Sequence, residues 1–312
     1  MVEGSRTGLG QGSGAGRYER PDDLDAALSL LAEGGWTALA GGTDFYPARV
    51  GRAVREPLLD LTGLRALRGV QACDEGGADA WRIGALTTWS DLARTALDPA
   101  LAALQQAARE VGGIQVRNQA TIGGNLCNAS PAADGVPALL ALDADVELAS
   151  VRGRRRLPLG DFVLGNRRTA LAPDELLTAV IVPRRSSRAG SRFLKLGQRR
   201  YLVISIVMVA VALDFDRQDR LAHCAVAVGA CSAVALRLAQ LERALLAAPR
   251  AGLVQRFDAL DAAATFAALA PLDDVRGSAA YRRMAAVELV RRALAELANL
   301  AERPAQANGG AR

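Results

Sequence analysis

The pattern of apolar and polar positions predicts a mixed chain in which short strands alternate with amphipathic helices. The first helix is well marked, because residues 21–34 combine a proline near the start, acids in the first turn and glycines at the end. Residues 36–50 predict a strand, a Gly-Gly turn and a short helix. The other elements predicted for this half are strands within 56–70 and 81–86, helices over 87–96, 98–113 and 131–142, and a glycine-containing loop before the last helix.

The longest apolar run, residues 202–213, lies in the second half and predicts a buried strand or a buried helix segment. The run is far shorter than the ~20 residues that cross a bilayer, so we expect no membrane span. A polar break rich in Arg, Ser and Gly, at 183–191, marks the predicted domain boundary. The remaining predicted elements are a short β region at 144–150 and 155–163, strands at 174–183 and 220–232, and helices at 237–248 and 278–302, while residues 191–197 and the apolar run start the second unit.

Length and charge narrow the classes of function. A chain of 312 residues suits two domains. It carries 38 Lys+Arg against 33 Asp+Glu, a formal charge of +5, but the basic residues are scattered and no basic tail contains interleaved aromatics. We therefore expect no nucleic-acid partner. Residues 1–16 are Gly/Ser-rich without the apolar segment of a signal peptide, which predicts a disordered leader and a cytoplasmic protein.

The cysteines and the single histidine offer no metal or nucleophile motif. Cys73, Cys127, Cys224 and Cys231 have no C-x-x-C spacing and are too few for a disulfide scaffold, so we expect buried or half-buried thiols. His223 lacks visible partners for a zinc site or a Ser-His-Asp triad, and we expect it at the start of a strand. The sequence therefore predicts neither a metal site nor a catalytic side chain on this chain.

Two glycine loops carry the candidate chemistry. AGGTD at 40–44 and TIGGN at 121–125 each follow a hydrophobic stretch, pair two glycines and add a hydroxyl. Paired glycines let backbone N–H groups point into one concavity and let a ligand approach closely, which suits a diphosphate. Neither loop has the G-x-G-x-x-G spacing of a Rossmann fold or the G-K-[ST] of a P-loop.

Taken together, the two loops resemble the flavoprotein subunit of the molybdenum hydroxylases, the xanthine dehydrogenase family that includes carbon monoxide dehydrogenase. The matching blocks are AGGTDFYP, ATIGGNLCNASPAADGVPALLALDA, LGNRRTALAPDELLTAVIVP, FLKLGQRRYLVISIVMVAVAL and PLDDVRGSAAYRRMAAVELVRRAL, in the family's order. The resemblance covers roughly 17–302 and implies an α+β chain. Its fold would be a two-subdomain FAD-binding fold of the vanillyl-alcohol oxidase (PCMH) type, followed by a smaller α+β C-terminal domain.

The resemblance also implies domain bounds. After the leader at 1–16, an FAD-binding domain would cover 17–187, with subdomains at about 17–70 and 71–187. A C-terminal domain like that of the CO dehydrogenase flavoprotein would cover 188–302, and a tail 303–312.

The resemblance further implies which residues hold FAD. Both glycine loops would bind its diphosphate, through Ala40, Gly41, Gly42, Thr43, Asp44, Thr121, Ile122, Gly123, Gly124 and Asn125. Asp134 would contact the adenosine side, Leu171 would offer a backbone contact near the adenine or the flavin, and Lys195 would reach the cofactor. From the residues alone, Asp134 could instead be an acid that complements a helix dipole, and Lys195 an ordinary strand-edge lysine.

By the same resemblance, molybdopterin and [2Fe-2S] centres belong to a large and a small partner chain, and no Cys cluster here could hold such a centre. This chain would be the middle subunit of a heterotrimeric unit, often paired as a dimer of trimers. Electrons would pass from the iron–sulfur centres to FAD and on to a soluble acceptor: NAD, oxygen or a quinone-linked carrier. The Cys-rich insert of the benzoyl-CoA-reductase branch is absent. The substrate, a purine or other N-heterocycle, an aldehyde or CO, would bind a partner chain.

Two alternatives remain open from the sequence. One is a stand-alone flavin oxidase of the same superfold, with Cys127 as a conceivable covalent tether; the other is a flavin-free scaffold. A further hypothesis concerns Arg199 and Arg200, which follow FLKLG: either could stabilise reduced, anionic flavin and raise its potential. The competing interpretation is that both arginines face solvent or a partner subunit.

Overall fold

A computed structural model describes residues 16–199 and 204–299. Its N-terminal part is a small parallel sheet in the order β1-β3-β2, covered by one helix. Asp23 caps that helix by accepting the N–H of Ala26 at 3.0 Å. The elements are β1 (Tyr18–Glu19), α1 (Leu24–Glu33), β2 (Thr37–Leu39) and β3 (Leu58–Asp60), with 3-10 turns at Pro47–Arg49, Leu61–Gly63 and Arg65–Leu67.

The middle part is a five-stranded antiparallel sheet in the order β4-β5-β10-β6-β7, with a layer of short helices against it. Its strands are β4 (Val70–Asp74), β5 (Asp79–Gly84), β6 (Asp145–Ser150), β7 (Gly153–Pro158) and β10 (Leu176–Pro183), and a separate hairpin pairs β8 (Val163–Gly165) with β9 (Arg168–Thr169). Its helices are α2 (Trp89–Arg94), α3 (Ala102–Glu110), α4 (Ile114–Gln119), α5 (Ile122–Asn128), α6 (Gly135–Ala141) and α7 (Leu159–Phe162), with a 3-10 turn at Pro99–Leu101.

The C-terminal part is a four-stranded antiparallel sheet in the order β11-β12-β13-β14. Its strands are β11 (Gly190–Leu196), β12 (Val207–Phe215), β13 (Leu221–Gly229) and β14 (Leu236–Arg237). Its helices are α8 (Ala239–Leu245), α9 (Leu253–Asp258), α10 (Ala262–Thr265) and α11 (Ala279–Asn299), with a 3-10 turn at Arg250–Gly252. None of the helices within 16–199 and 204–299 is long and apolar enough to cross a membrane.

The central strand β12 is buried on both faces, which explains its continuous apolar sequence. Its smaller side chains Ala210 and Ala212, with Met208, join the core shared with the helices of the middle part. Its alternate residues Val209 and Val211 join a second core with α8, α9 and α11. Because successive strand residues point to opposite faces, one strand holds the two halves of the molecule together.

A polar clasp at Asp143 joins the same two halves. Its carboxylate accepts a hydrogen bond from Arg237 Nη1 at 2.6 Å, lies 3.1 Å from His223 Nε2 and also accepts from Arg185. Arg237 in turn pairs with Glu242 at 2.5 Å. Burial opposes the charge of Asp143, but its hydrogen bonds from His223 and Arg237 hold the pKa of this carboxyl well below its usual range. The single histidine is therefore structural, within β13.

The segment expected to be a loop around TIGGN is instead the helix α5. The Thr121 hydroxyl accepts the N–H of Gly124 at 3.0 Å, and this cap outweighs the low helix propensity of two glycines. The next helix begins at Gly135 and not at 131. Short elements that the periodicity does not reveal include β1, β4, β9, β14, α4, α9 and α10, and the stretch 155–163 expected in the β region contains the helix α7 instead of continuing as a strand. The leader, the tail and Arg200 lie outside the described residues, and the domain bounds 17–187 and 188–302 stay predictions.

Replacing Arg237 with Ala should lower the free energy of unfolding by about 2–4 kcal/mol, because Asp143 and Glu242 would lose a partner in a partly buried site. Urea denaturation measures the change. Arg243→Ala is the control, since Arg243 only bonds the Ala239 carbonyl at 3.2 Å and is exposed; its effect should stay within about 0.5 kcal/mol. Equal losses in the free energy of unfolding of the two variants would contradict the stabilising role of Arg237 in this clasp.

Acid stability should depend on Glu147, which accepts hydrogen bonds from Arg82 at 2.7 and 2.9 Å and from Thr178 at 2.5 Å. Burial opposes its charge, but these bonds hold its pKa at about 2, below its ordinary value of 4.5. The stabilisation is therefore present above the ordinary pKa and lost as the pH falls towards about 2. Glu147→Gln should be less stable at pH 7, with the difference shrinking across that window in urea titrations. A constant difference would contradict this account.

Candidate functional site

A cleft of about 390 Å³ opens between the segment after β2 and helix α5. This volume lies within the usual range of ligand sites. The candidate residues that line it are Ala40, Gly41, Gly42, Thr43, Asp44, Thr121, Gly123, Gly124, Asn125 and Leu171. The fold therefore brings together two glycine pairs that are some 80 positions apart in the sequence.

The first glycine pair lies in a loop with free amides. Within the described parts of the chain, none of the backbone N–H groups of 41–45 donates a hydrogen bond to an acceptor, whereas the carbonyls of Gly42 and Asp44 accept from Tyr46 and Ala48. Such consecutive amides form a concavity for an anion. Glycine is needed on both sides of the turn, because Gly42 has φ +68° and a Cβ on Gly41 would lie 2.0 Å from the Gln119 carbonyl oxygen.

The backbone amides around the second glycine pair donate to acceptors within the protein, whereas the sequence suggested that they bind an anion. The N–H of Ile122 donates to Thr87 at 3.0 Å, that of Gly123 to Ala85 at 2.8 Å, and that of Asn125 to Thr121 at 3.0 Å. Gly124 donates to the Thr121 hydroxyl, so these four amides are all used within the protein. A Cβ on Gly123 would meet the Ala85 carbonyl oxygen at 2.8 Å. The second pair therefore lets α5 pack against the end of β5 and form a wall of the cleft.

Three candidate residues do not line this cleft. Ile122 is fully buried in the core. Asp134 and Lys195 form a buried ion pair at 2.7 Å, with side chains that are 8% and 7% exposed. Ser205 also donates to Asp134, at 3.0 Å, and Lys195 reaches the Glu110 carbonyl at 3.3 Å.

The Asp134–Lys195 pair ties β11 to the N-terminal end of α6. Asp134 makes no capping bond to α6, although it occupies the capping position. Burial raises the pKa of Asp134, and the Lys195 ammonium and the Ser205 hydroxyl oppose that rise. One sequence signal of this site was missed: Lys195 is the only lysine in a chain that otherwise uses arginine throughout.

Several residues that line the cleft belong to no recognisable sequence motif. Arg49 stacks on Phe45 at 3.7 Å and pairs with Glu56 at 2.6 Å. Arg167 has φ +54° and donates to Asn128 Oδ1 at 3.0 Å. Trp89, at the floor, begins α2 and is fully buried. Arg199 is exposed and is not among the described residues that line the cleft, so its effect on a flavin stays a hypothesis.

These features fit a bound dinucleotide. The free amides of 41–45 offer donors for a diphosphate, while the missing Cβ atoms of Gly41 and Gly42 let this loop pack against the Gln119 carbonyl and the Tyr46 ring. Arg49 and Arg167 line the same cleft, where Arg49 pairs with Glu56 and Arg167 donates to Asn128.

Comparison with known proteins identifies the family. Residues 13–185 match the FAD binding domain in molybdopterin dehydrogenase, and residues 192–297 match the CO dehydrogenase flavoprotein C-terminal domain. The chain is 35% identical to the nicotinate dehydrogenase FAD-subunit of Eubacterium barkeri, over 68% of this chain and 72% of the relative. It is 31% identical to the carbon monoxide dehydrogenase medium chain of Hydrogenophaga pseudoflava, over 89% and 95%.

A solved structure, reconstituted CO dehydrogenase from Oligotropha carboxidovorans, superposes with a TM-score of 0.81 at 27% identity, over 91% of this chain and 98% of that one. The chain therefore belongs to the FAD-binding medium subunits of the molybdopterin dehydrogenases, the family of CO and xanthine dehydrogenases. It is an FAD-dependent oxidoreductase subunit. The predicted family, fold class and cofactor are confirmed.

Gly41→Ala should destabilise the apoprotein by about 1–3 kcal/mol, because its Cβ would overlap the Gln119 carbonyl oxygen. It should also weaken FAD binding, since the loop must move. The control is Gly160→Ala, where the nearest atom to a new Cβ is Leu140 Cδ2 at 3.8 Å. Urea denaturation and FAD titration measure both effects; indistinguishable variants would show that the close approach at Gly41 is unimportant.

Proposed function

We propose that this chain receives electrons from a [2Fe-2S] partner chain and delivers them, through its FAD, to a soluble acceptor such as NAD. The observation that carries the proposal is the row of free amides at 41–45, in a loop that lines the cleft together with α5. FAD supplies the electron chemistry when bound, while the protein supplies binding, orientation and electrostatics. This division of labour requires no catalytic nucleophile on the chain.

In this proposal the two walls of the cleft have separate roles. The amides of 41–45 and the Thr43 hydroxyl hold the diphosphate, with Ala40 and Asp44 at the edges of the same loop. Thr121, Ile122, Gly123 and Gly124 shape and support the opposite wall, where Asn125 presents its side chain. Leu171 closes the cleft near one ring of the cofactor.

Asp134 and Lys195 remain proposed contacts of the adenosine side and of the cofactor. Since they bind each other at 2.7 Å, either contact would have to form at the edge of their ion pair or require the pair to open. Their burial makes opening costly.

Membership of a medium-chain family supports the proposed partners. A medium chain implies a larger and a smaller one, which we assign to molybdopterin and to [2Fe-2S], in a heterotrimeric unit of the cytoplasm. In the parts of the chain that the structure describes, no group of three or more His, Cys, Asp or Glu side chains could hold a metal. Relatives include subunits of nicotinate, xanthine and CO dehydrogenases, so the substrate class must be tested on the assembled complex.

The alternative of a stand-alone oxidase with covalently bound flavin receives less support. Burial raises the pKa of the Cys127 thiol to about 12, so the thiolate that would attack a flavin is scarce. His223, the other possible tether, pairs with Asp143 and is not among the described residues lining the cleft.

Acid precipitation should therefore release the flavin into the supernatant, because the chain holds it through hydrogen bonds and packing alone. Absorbance of the supernatant and of the washed pellet measures the two fractions. Flavin that stays with the pellet would favour the oxidase.

Purification under native conditions tests the partners. We expect flavin and iron–sulfur absorbance together with one larger and one smaller chain, and reduction by candidate N-heterocycles, aldehydes or CO followed by reoxidation with NAD, oxygen or a quinone. A chain that purifies alone, yellow and active on a substrate, would contradict the proposed electron path.

A further inference from the structure

The floor of the cleft contains a buried donor and a buried acceptor that lack partners. Trp89 is 0% exposed, and its indole Nε1 makes no hydrogen bond within 16–199 and 204–299. Asn125 Oδ1 is also enclosed and unbonded there. Both residues line the cleft. Unsatisfied buried polar atoms cost free energy and are rare in native proteins, so two in one wall require an explanation.

The two groups converge on Gly135, the first residue of α6. A Cβ on Gly135 would lie 2.9 Å from Asn125 Oδ1, and 2.9 and 2.5 Å from Trp89 Cζ2 and Cη2. Cζ2 belongs to the same edge of the indole as Nε1. Asn125 Oδ1 and the edge of the Trp89 indole that carries Nε1 therefore both border Gly135.

The chemistry of the pair restricts what can satisfy it. Indole Nε1–H only donates, and the amide oxygen only accepts. With the amide oriented as in this structure, a phosphate oxygen would satisfy Trp89 and leave Asn125 Oδ1 facing another acceptor. A single hydroxyl group satisfies both, because it accepts from one and donates to the other.

We propose that Trp89 and Asn125 form a hydroxyl-binding subsite at the cleft floor, filled by a sugar or ribityl hydroxyl of the bound FAD. The inference rests on the proposed binding of FAD in this cleft and adds Trp89 to the contacts. Gly135 is a positioning residue of the subsite, since any side chain there would displace the indole or the amide. The Asp134–Lys195 pair, one residue before Gly135, holds α6 in place.

The direct test observes the indole N–H of the full-length wild-type chain by ¹⁵N NMR. The chain has three tryptophans, and Trp36→Phe and Trp81→Phe assign the Trp89 signal by elimination. We expect only the Trp89 signal to move on addition of FAD. A Trp89 signal that does not move on addition of FAD would overturn the inference. An indole N–H that contacts water both before and after FAD binds would do the same, because a trapped water would then satisfy the pair.

Binding measurements test the same subsite energetically. Trp89→Phe keeps an aromatic ring but loses the donor, and FAD should bind about 10- to 100-fold more weakly. Trp81→Phe, which changes a tryptophan outside the described cleft lining, should bind FAD as the wild type does. Asn125→Leu should also weaken binding, and the double variant should lose less than the product of the single losses, because both residues bind one hydroxyl.

The outcomes separate the two proposals. The subsite would be overturned, with FAD binding intact, if the losses of FAD affinity in the two single variants multiplied fully in the double variant. An unchanged Kd for FAD in a folded Trp89→Phe variant would overturn it as well. If Trp89→Phe does not fold, the wild-type NMR result decides. A wild-type chain that binds no FAD, alone or with its co-purifying chains, would overturn the proposed function and the subsite with it.

Discussion

The candidate site depends on the burial of both faces of β12. Its alanine-rich face packs against the helices behind the cleft, while its valine face packs against α11 and the other C-terminal helices. The same register places Lys195 beside Met208 on the FAD side of the sheet, within 2.7 Å of Asp134. Because Asp134 directly precedes α6, the docking of the C-terminal sheet determines where Gly135 presses against the cleft floor. The packing of the C-terminal sheet and the shape of the cleft floor are thus one constraint.

The two glycine pairs look alike in sequence but differ in structure, because their backbone amides have different hydrogen-bond partners. Gly41 and Gly42 let the first loop pack against Gln119 and Tyr46, and the amides of 41–45 have no acceptor in the described chain. Gly123 and Gly124 lie in a capped helix whose amides are already used, and Gly123 permits close packing on Ala85. We therefore expect the first loop to supply the donors for a diphosphate and α5 to supply a supporting wall of the cleft.

The sequence predicted the strongly periodic elements well, because the strand β10 and the helices α1 and α11 have unambiguous patterns, whereas the apolar run that contains β12 left a strand and a helix open. It predicted α5 wrongly, since the glycines suggested a loop and the Thr121 cap decides the conformation only together with contacts to Thr87 and Ala85. The cleft residues of the glycine loops followed from motif and resemblance. Trp89 and the Asp143 clasp could not be predicted, because their roles arise from contacts between segments far apart in sequence.

The most direct measurement is an experimental structure of the chain with FAD bound. The account predicts the diphosphate within hydrogen-bond distance of the amides of 41–45, while the amides of 122–125 keep their internal partners. A diphosphate held instead by the amides of α5, or an FAD bound outside this cleft, for example in the groove lined by Arg188, Arg192 and Arg250, would contradict it.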